Sequence, residues 1–214
     1  MSPRIIDISP PISERLAVFP GDEPYRRNAD LAIERGNPVR LTSIRATLHL
    51  GAHADAPSHC QQGGAAIDAL PLDLYYGPCQ VVQVAVRPGA RIHPRDVAEP
   101  IESPRVLFRT DTCIDPERFD EAFASLSPEL VEHLHRRRVR LVGIDTPSID
   151  PFLDPVLESH QAVARLGMVN LEGLVLGHVD PGFYTLVALP LRLTGAEASP
   201  VRAVLVGATP EFPG

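Results

Sequence analysis

The chain has 214 residues, 44% of them hydrophobic, enough for one substantial core, which predicts a single domain over residues 1–214. Its 20 basic and 27 acidic residues leave a formal charge of -7, which argues against general nucleic-acid affinity and favours a soluble enzyme. No run approaches a membrane span and the N-terminus lacks the apolar core of a signal peptide; the three cysteines, with no CxxC spacing, read as reduced thiols, so a cytoplasmic location is expected.

Residues 5–8 form a short apolar run stopped by Pro10 and Pro11, a predicted first strand. Phe19-Pro20-Gly21-Asp22 is a turn signal; Phe19 either belongs to the turn alone or lines a pocket. Residues 39–50 alternate apolar and polar, and predict a strand that delivers His49 at its end.

The next stretch reads His49-Leu-Gly-Ala-His53-Ala-Asp55-Ala-Pro57-Ser-His59, and it concentrates three of the 8 histidines in 11 residues beside an aspartate. Imidazole nitrogens with a carboxylate oxygen are the ligands of a borderline divalent metal. A straight strand would hold His49 and His53 about 13 Å apart, too far for one ion that each must reach at about 2 Å. A helix would turn Asp55 away from both histidines, and Pro57 would break it. The segment is therefore predicted to bend at Gly51, as a bent strand or strand-to-loop junction. Cys60 follows directly and reads as a small buried thiol outside the site.

Further along, residues 79–86 predict a buried strand, and residues 106–111 and 141–145 predict two more that end in polar residues. Between the last two lies the clearest helix: Ser127 as N-cap, Pro128 in the first turn, an apolar stripe of Leu130, Val131 and Leu134, and arginines at the far end. The basic run from His133 to Arg140 reads as a solvated helix end. Ser159 is expected to cap a second helix that carries His160 and ends near Gly167. Residues 168–176 are strand-like and enclose a lone carboxylate, Glu172, which among apolar neighbours needs a cation as partner. His160 and His178 both remain candidates for a distal ligand on residue type alone. Residues 184–193 and 201–206 predict two strands joined as a long hairpin. The balance of strands against two or three helices predicts a β-rich α/β fold with a barrel-like core and peripheral helices.

These residues resemble the cyclase-type metal-dependent hydrolases. The segment of residues 49–59 carries the resemblance, with support from Asp7-Ile8-Ser9, Phe19-Pro20-Gly21-Asp22, Phe108-Arg109-Thr110, Gly143-Ile144-Asp145-Thr146-Pro147-Ser148 and Asn170-Leu171-Glu172-Gly173. The resemblance implies a swivelling β/β/α-type domain in a homodimer with two divalent metal ions per subunit, zinc or manganese. It implies that His49, His53 and Asp55 hold the first ion, that Asp55 bridges to the second, and that His160 and Glu172 complete the second site. His59 would be the acid–base residue and Phe19 an aromatic at the substrate pocket. Ala52 stands where the family commonly has a threonine.

The implied activity is that of an arylformamidase, the hydrolysis of N-formyl-L-kynurenine to L-kynurenine and formate in the kynurenine pathway of tryptophan breakdown, with no nucleic-acid or membrane partner. The same site could serve another amide, such as isatin. A non-haem iron oxygenase would use His53, Asp55 and a distant histidine but leave His49 and His59 unexplained. A protein that only holds metal or ligand would give His59 no task.

Overall fold

The computed structural model describes residues 4–207. Nine strands form one mixed sheet, in the spatial order Ile5–Asp7, Val204–Gly207, Gly182–Val187, Tyr76–Gln83, Arg105–Arg109, Leu141–Ile144, Val169–Glu172, His53–Asp55 and Ala198–Pro200. The four strands from Tyr76–Gln83 to Val169–Glu172 run parallel. Antiparallel pairs flank them on both sides. Parallel strands need crossovers, and helices supply two of the three: α1, Pro128–Arg136, ahead of Leu141–Ile144, and α2, Glu158–Arg165, ahead of Val169–Glu172.

Side chains alternate across the sheet, and the alternation separates two cores. Val81, Leu107, Leu141 and Leu171 face one of them. Val82, Val106, Phe108 and Val142 face the other, together with Leu130 and Leu134 of α1 and Val163 of α2. The sheet curls as a half-barrel with its helices on one side, as the strand-rich pattern predicted.

The predicted cap of α1 is present: the Leu130 amide donates to Ser127 Oγ at 3.1 Å. Arg136, Arg137 and Arg138 are exposed at its end. The expectation for α2 needs correction. Leu157, at φ 56°, precedes the helix without a side-chain cap, and Ser159 lies inside the first turn. The orphan amides there are satisfied from outside: Ser159 N donates to Asp150 at 2.8 Å, and Leu157 N to Asp154 at 3.1 Å.

Two strand expectations also change. Residues 39–50 form a strand only over Leu41–Arg45, which pairs with Arg26–Leu31 in a separate two-stranded sheet. His49 therefore stands four residues beyond the strand, in a bent segment. The expected C-terminal pairing is present, Gly182–Val187 with Val204–Gly207, but the strands are shorter and their connection carries an extra strand, Ala198–Pro200, to the far edge, where it pairs with His53–Asp55.

Candidate metal centre

The central site follows from strand register. His53–Asp55 lies between Val169–Glu172 and Ala198–Pro200, with His53 opposite Glu172 and Asp55 opposite Asn170. Side chains two apart share a face, and directly opposed residues of an antiparallel pair share it too, so His53, Asp55, Asn170 and Glu172 gather on one side. Gly51, at φ 59°, bends the chain ahead of the strand and returns His49 toward Asp55, with His49 Nδ1 at 3.0 Å from Asp55 Oδ1. A turn at Pro57–His59 brings His59 back, its ring centroid 4.4 Å from that of His49 and 5.5 Å from that of His160.

His160 arrives from the first turn of α2. Its Nε2 stands 3.0 Å from Glu172 Oε1 and 3.3 Å from Asp55 Oδ2. His53 Nε2 stands 3.3 Å from Glu172 Oε2 and 3.5 Å from Asp55 Oδ1. All four side chains are buried. Yet His53 Nε2, Asp55 Oδ1 and His160 Nε2 make no hydrogen bond among the described residues, although each lies close to a group of opposite character. Buried polar atoms that converge without pairing leave a desolvation penalty that a cation among them would remove.

Two groups of three bring imidazole nitrogens and carboxylate oxygens within 4.8 Å of one another: His49, Asp55 and His59, and His53, Asp55 and Glu172. Asp55 belongs to both groups. The residues that sequence reasoning singled out thus assemble at one place, though with His59 among the clustered donors rather than apart from them. His178 does not take part: its ring bonds the Asp7 carbonyl at 3.0 Å.

Charge in the centre is shared. Burial opposes a charge on His53, but the carboxylates of Asp55 and Glu172 outweigh it and raise its pKa to about 9. His160 is likewise raised well above the usual histidine range, against its burial, by Glu172, Asp150 and Asp55. Burial, opposed by Asp55, lowers His59, and the neighbouring rings of His49 and His160 lower it further. The lowered pKa favours the neutral ring, whose free nitrogen can accept a proton.

Two residues that orient this centre were not singled out from the sequence. Asp150, fully buried, accepts the His160 ring Nδ1 at 2.8 Å and the backbone amides of Ser159 and His160, which turns His160 Nε2 toward Asp55 and Glu172. Asn170 donates to Asp55 Oδ2 at 2.7 Å and Glu172 Oε1 at 3.1 Å. The two-residue spacing of Asn170 and Glu172 was a readable signal for the second. Asp150, ten residues before His160 and across a loop, had no local signal.

A cavity of about 300 Å³ opens over His49, His53, His59 and His160, at the small end of the range for ligand pockets. Phe19 lines it, as does Phe119. The Phe19 ring centroid lies 5.3 Å from those of both Phe119 and Phe152. The turn expected at residues 19–22 is present, with the Asp22 amide bonded to the Phe19 carbonyl at 3.0 Å.

The Cyclase family model matches residues 6–151, more than half of the chain and including the whole stretch from His49 to His59. The chain belongs to the cyclase family. It is 46% identical over 204 residues, 94% of this chain and 97% of the relative, to a kynurenine formamidase of Bordetella pertussis. A solved structure described as a potential metal-dependent hydrolase with cyclase activity superposes with a TM-score of 0.84 at 28% identity, covering 98% of this chain and all of that one. Isatin hydrolase A from Labrenzia aggregata shares the fold, with a TM-score of 0.81 at 22% identity over 95% of this chain and 93% of that one. This cyclase-family chain has no helix among its described residues long and apolar enough to cross a membrane.

Proposed function

We propose that this chain is an arylformamidase that hydrolyses N-formyl-L-kynurenine to L-kynurenine and formate, as one catalytic domain and with a divalent-metal centre. The unpaired convergence of His53 Nε2, Asp55 Oδ1 and His160 Nε2 carries the reading of a metal centre. The likeness to a kynurenine formamidase over nearly the whole length of both chains supports the substrate. His49, His53, Asp55, His160 and Glu172 are the ligands in this reading. Asp55 would serve both halves of the centre, since its Oδ1 faces His49 and His53 and its Oδ2 faces His160; two ions per chain are part of this reading. Zinc suits this nitrogen and oxygen set, and manganese is its alternative.

Such a cation would supply a nucleophile at neutral pH by lowering the pKa of the water it binds to about 7, and would polarise a carbonyl oxygen. The chain's own groups do the rest. Hydrolysis adds hydroxide to the formyl carbon and breaks its bond to the aryl nitrogen, which must gain a proton to leave as an amine. His59 is the carrier of that proton in this reading: its ring lines the cavity, and its donor atom lies within 4.8 Å of those of His49 and Asp55. Asn170 and Asp150 hold Asp55, Glu172 and His160 in place throughout. Phe19 and Phe119 line the cavity where the aryl ring packs.

A homodimer is part of this reading, supported by the Arg26–Leu31 and Leu41–Arg45 arm, where Leu41 is 54% and Ile44 67% exposed. A cytoplasmic location is supported by the three unpaired thiols, Cys60, Cys79 and Cys113. The test is direct: purified protein supplied with zinc or manganese is mixed with N-formyl-L-kynurenine while kynurenine absorbance is followed. Absence of turnover with either metal overturns the proposal.

A further inference from the structure

The cavity carries charges that the reaction itself does not use. Arg118 is the one lysine or arginine among its lining residues, and its guanidinium has no ion pair or hydrogen bond among the described residues. Its neighbours are engaged: Glu117 pairs with Arg15 at 2.9 Å, and Arg109 pairs with Asp111 at 2.9 Å. The acids of the lining divide in the same way. Glu172 belongs to the metal-binding cluster, and Asp145 is saturated by Thr110 N at 2.9 Å, Thr110 Oγ1 at 2.6 Å and Asp111 N at 3.0 Å. The carboxylate of Asp22 accepts no hydrogen bond among the described residues.

The two unengaged charges flank the aromatic wall. Arg118 directly precedes Phe119, and the turn at residues 19–22 holds Asp22 beside Phe19. Phe19 and Phe119 meet edge to face at 5.3 Å. Their two segments are tied together, because the Ala17 amide donates to the Pro116 carbonyl at 2.9 Å. One cation, one anion and two rings therefore share one wall, opposite in chemistry to the histidine-rich floor.

We infer that this wall selects aryl formamides carrying a zwitterionic amino-acid group, with Arg118 receiving the carboxylate and Asp22 the ammonium while the ring packs on Phe19 and Phe119. The inference rests on the proposed arylformamidase reading and supplies its substrate discrimination. Arg118 is exposed and Asp22 half-buried, so each contact is screened by water and each contributes modestly.

The experiment compares N-formyl-L-kynurenine with formanilide, an aryl formamide bearing neither charge, on the metal-loaded wild type and on R118Q, R118K and D22N. R118Q and D22N are each expected to raise KM for N-formyl-L-kynurenine about threefold while kcat stays nearly constant, as loss of one solvent-screened charge contact predicts. Formanilide kinetics stay unchanged, and R118K recovers part of the lost affinity. An unchanged KM for N-formyl-L-kynurenine in R118Q overturns the inference, and so does an equal loss on both substrates, which marks a structural role. A wild type that cleaves formanilide and not N-formyl-L-kynurenine overturns the proposed function itself, a separate and distinguishable failure.

Discussion

Glu172 stands directly across from His53 in the antiparallel pair between Val169–Glu172 and His53–Asp55, so the sheet's hydrogen bonds set the spacing of two candidate metal ligands. A one-residue slip of that register would turn Glu172 to the opposite face. The centre is thus held by backbone pairing on one side and by the short helix α2 on the other.

Gly173 follows Glu172 at φ 64°, and a Cβ there would lie 2.2 Å from the Gly51 carbonyl oxygen. Two constraints coincide, a left-handed backbone and a backbone-to-backbone contact that cannot yield by a side-chain rotation. Gly173→Ala is expected to cost at least about 2 kcal/mol, read from urea midpoints. It should also loosen metal binding, because the displaced segment carries His49 and His53. Wild-type stability in this variant would show that the two turns do not need their close approach.

His59→Ala is expected to lower kcat by about 100- to 10,000-fold, the range for loss of a general acid–base group. Elemental analysis should find its metal content unchanged. His59 lies within 4.8 Å of the donor atoms of His49 and Asp55. A loss of metal that parallels the loss of turnover would therefore reassign it from proton carrier to ligand.

Asp150→Asn retains one oxygen acceptor but removes the charge that holds His160 in its tautomer. Metal affinity should fall about 10- to 100-fold, as for other carboxylates behind a metal-binding histidine. Metal titration followed by calorimetry measures this without an activity assay. Wild-type affinity would leave Asp150 a purely structural role as acceptor for the first turn of α2.

In the metal-free chain the His53 pKa is raised from 6.5 to about 9, burial opposing the shift while Asp55 and Glu172 drive it. A raised folded-state pKa contributes stability that is complete below about 6.5 and is lost as pH rises through about 9. Chelator-treated protein should therefore lose part of its urea resistance across that window. Metal affinity should move the opposite way, since the ring must shed its proton to bind, and should rise with pH over the same interval. Affinity that stays flat between these pH values would remove His53 from the ligand set.

Much of the candidate site was legible in one stretch. His49, His53, Asp55 and His59 are close in sequence, and the bend at Gly51 that joins them is a local property of a glycine with positive φ. The cap at Ser127 and the apolar stripe of α1 were legible for the same reason, since they depend on residues three and four apart. The limits of α2 were not, because its first turn is satisfied by Asp150 and Asp154 from the preceding loop and not by Ser159. The strand expected to carry His49 ended early, because alternation alone does not say which partner a strand finds. Here the partner was an exposed neighbouring segment and not the main sheet.

By itself, then, the sequence determined which chemistry the chain offers: candidate nitrogen and oxygen donors in one bent segment, a second histidine on a helix, a lone acid in an apolar run. Only the tertiary structure decided that these meet, through the pairing of Glu172 with His53 and of Asn170 with Asp55, and through the aim that Asp150 gives His160. The division is physical. Ligand types, caps and bends follow from covalent neighbours, whereas register and the placement of α2 over the sheet depend on contacts between residues more than 100 positions apart in the chain, whose loops carry no local signal of where they close.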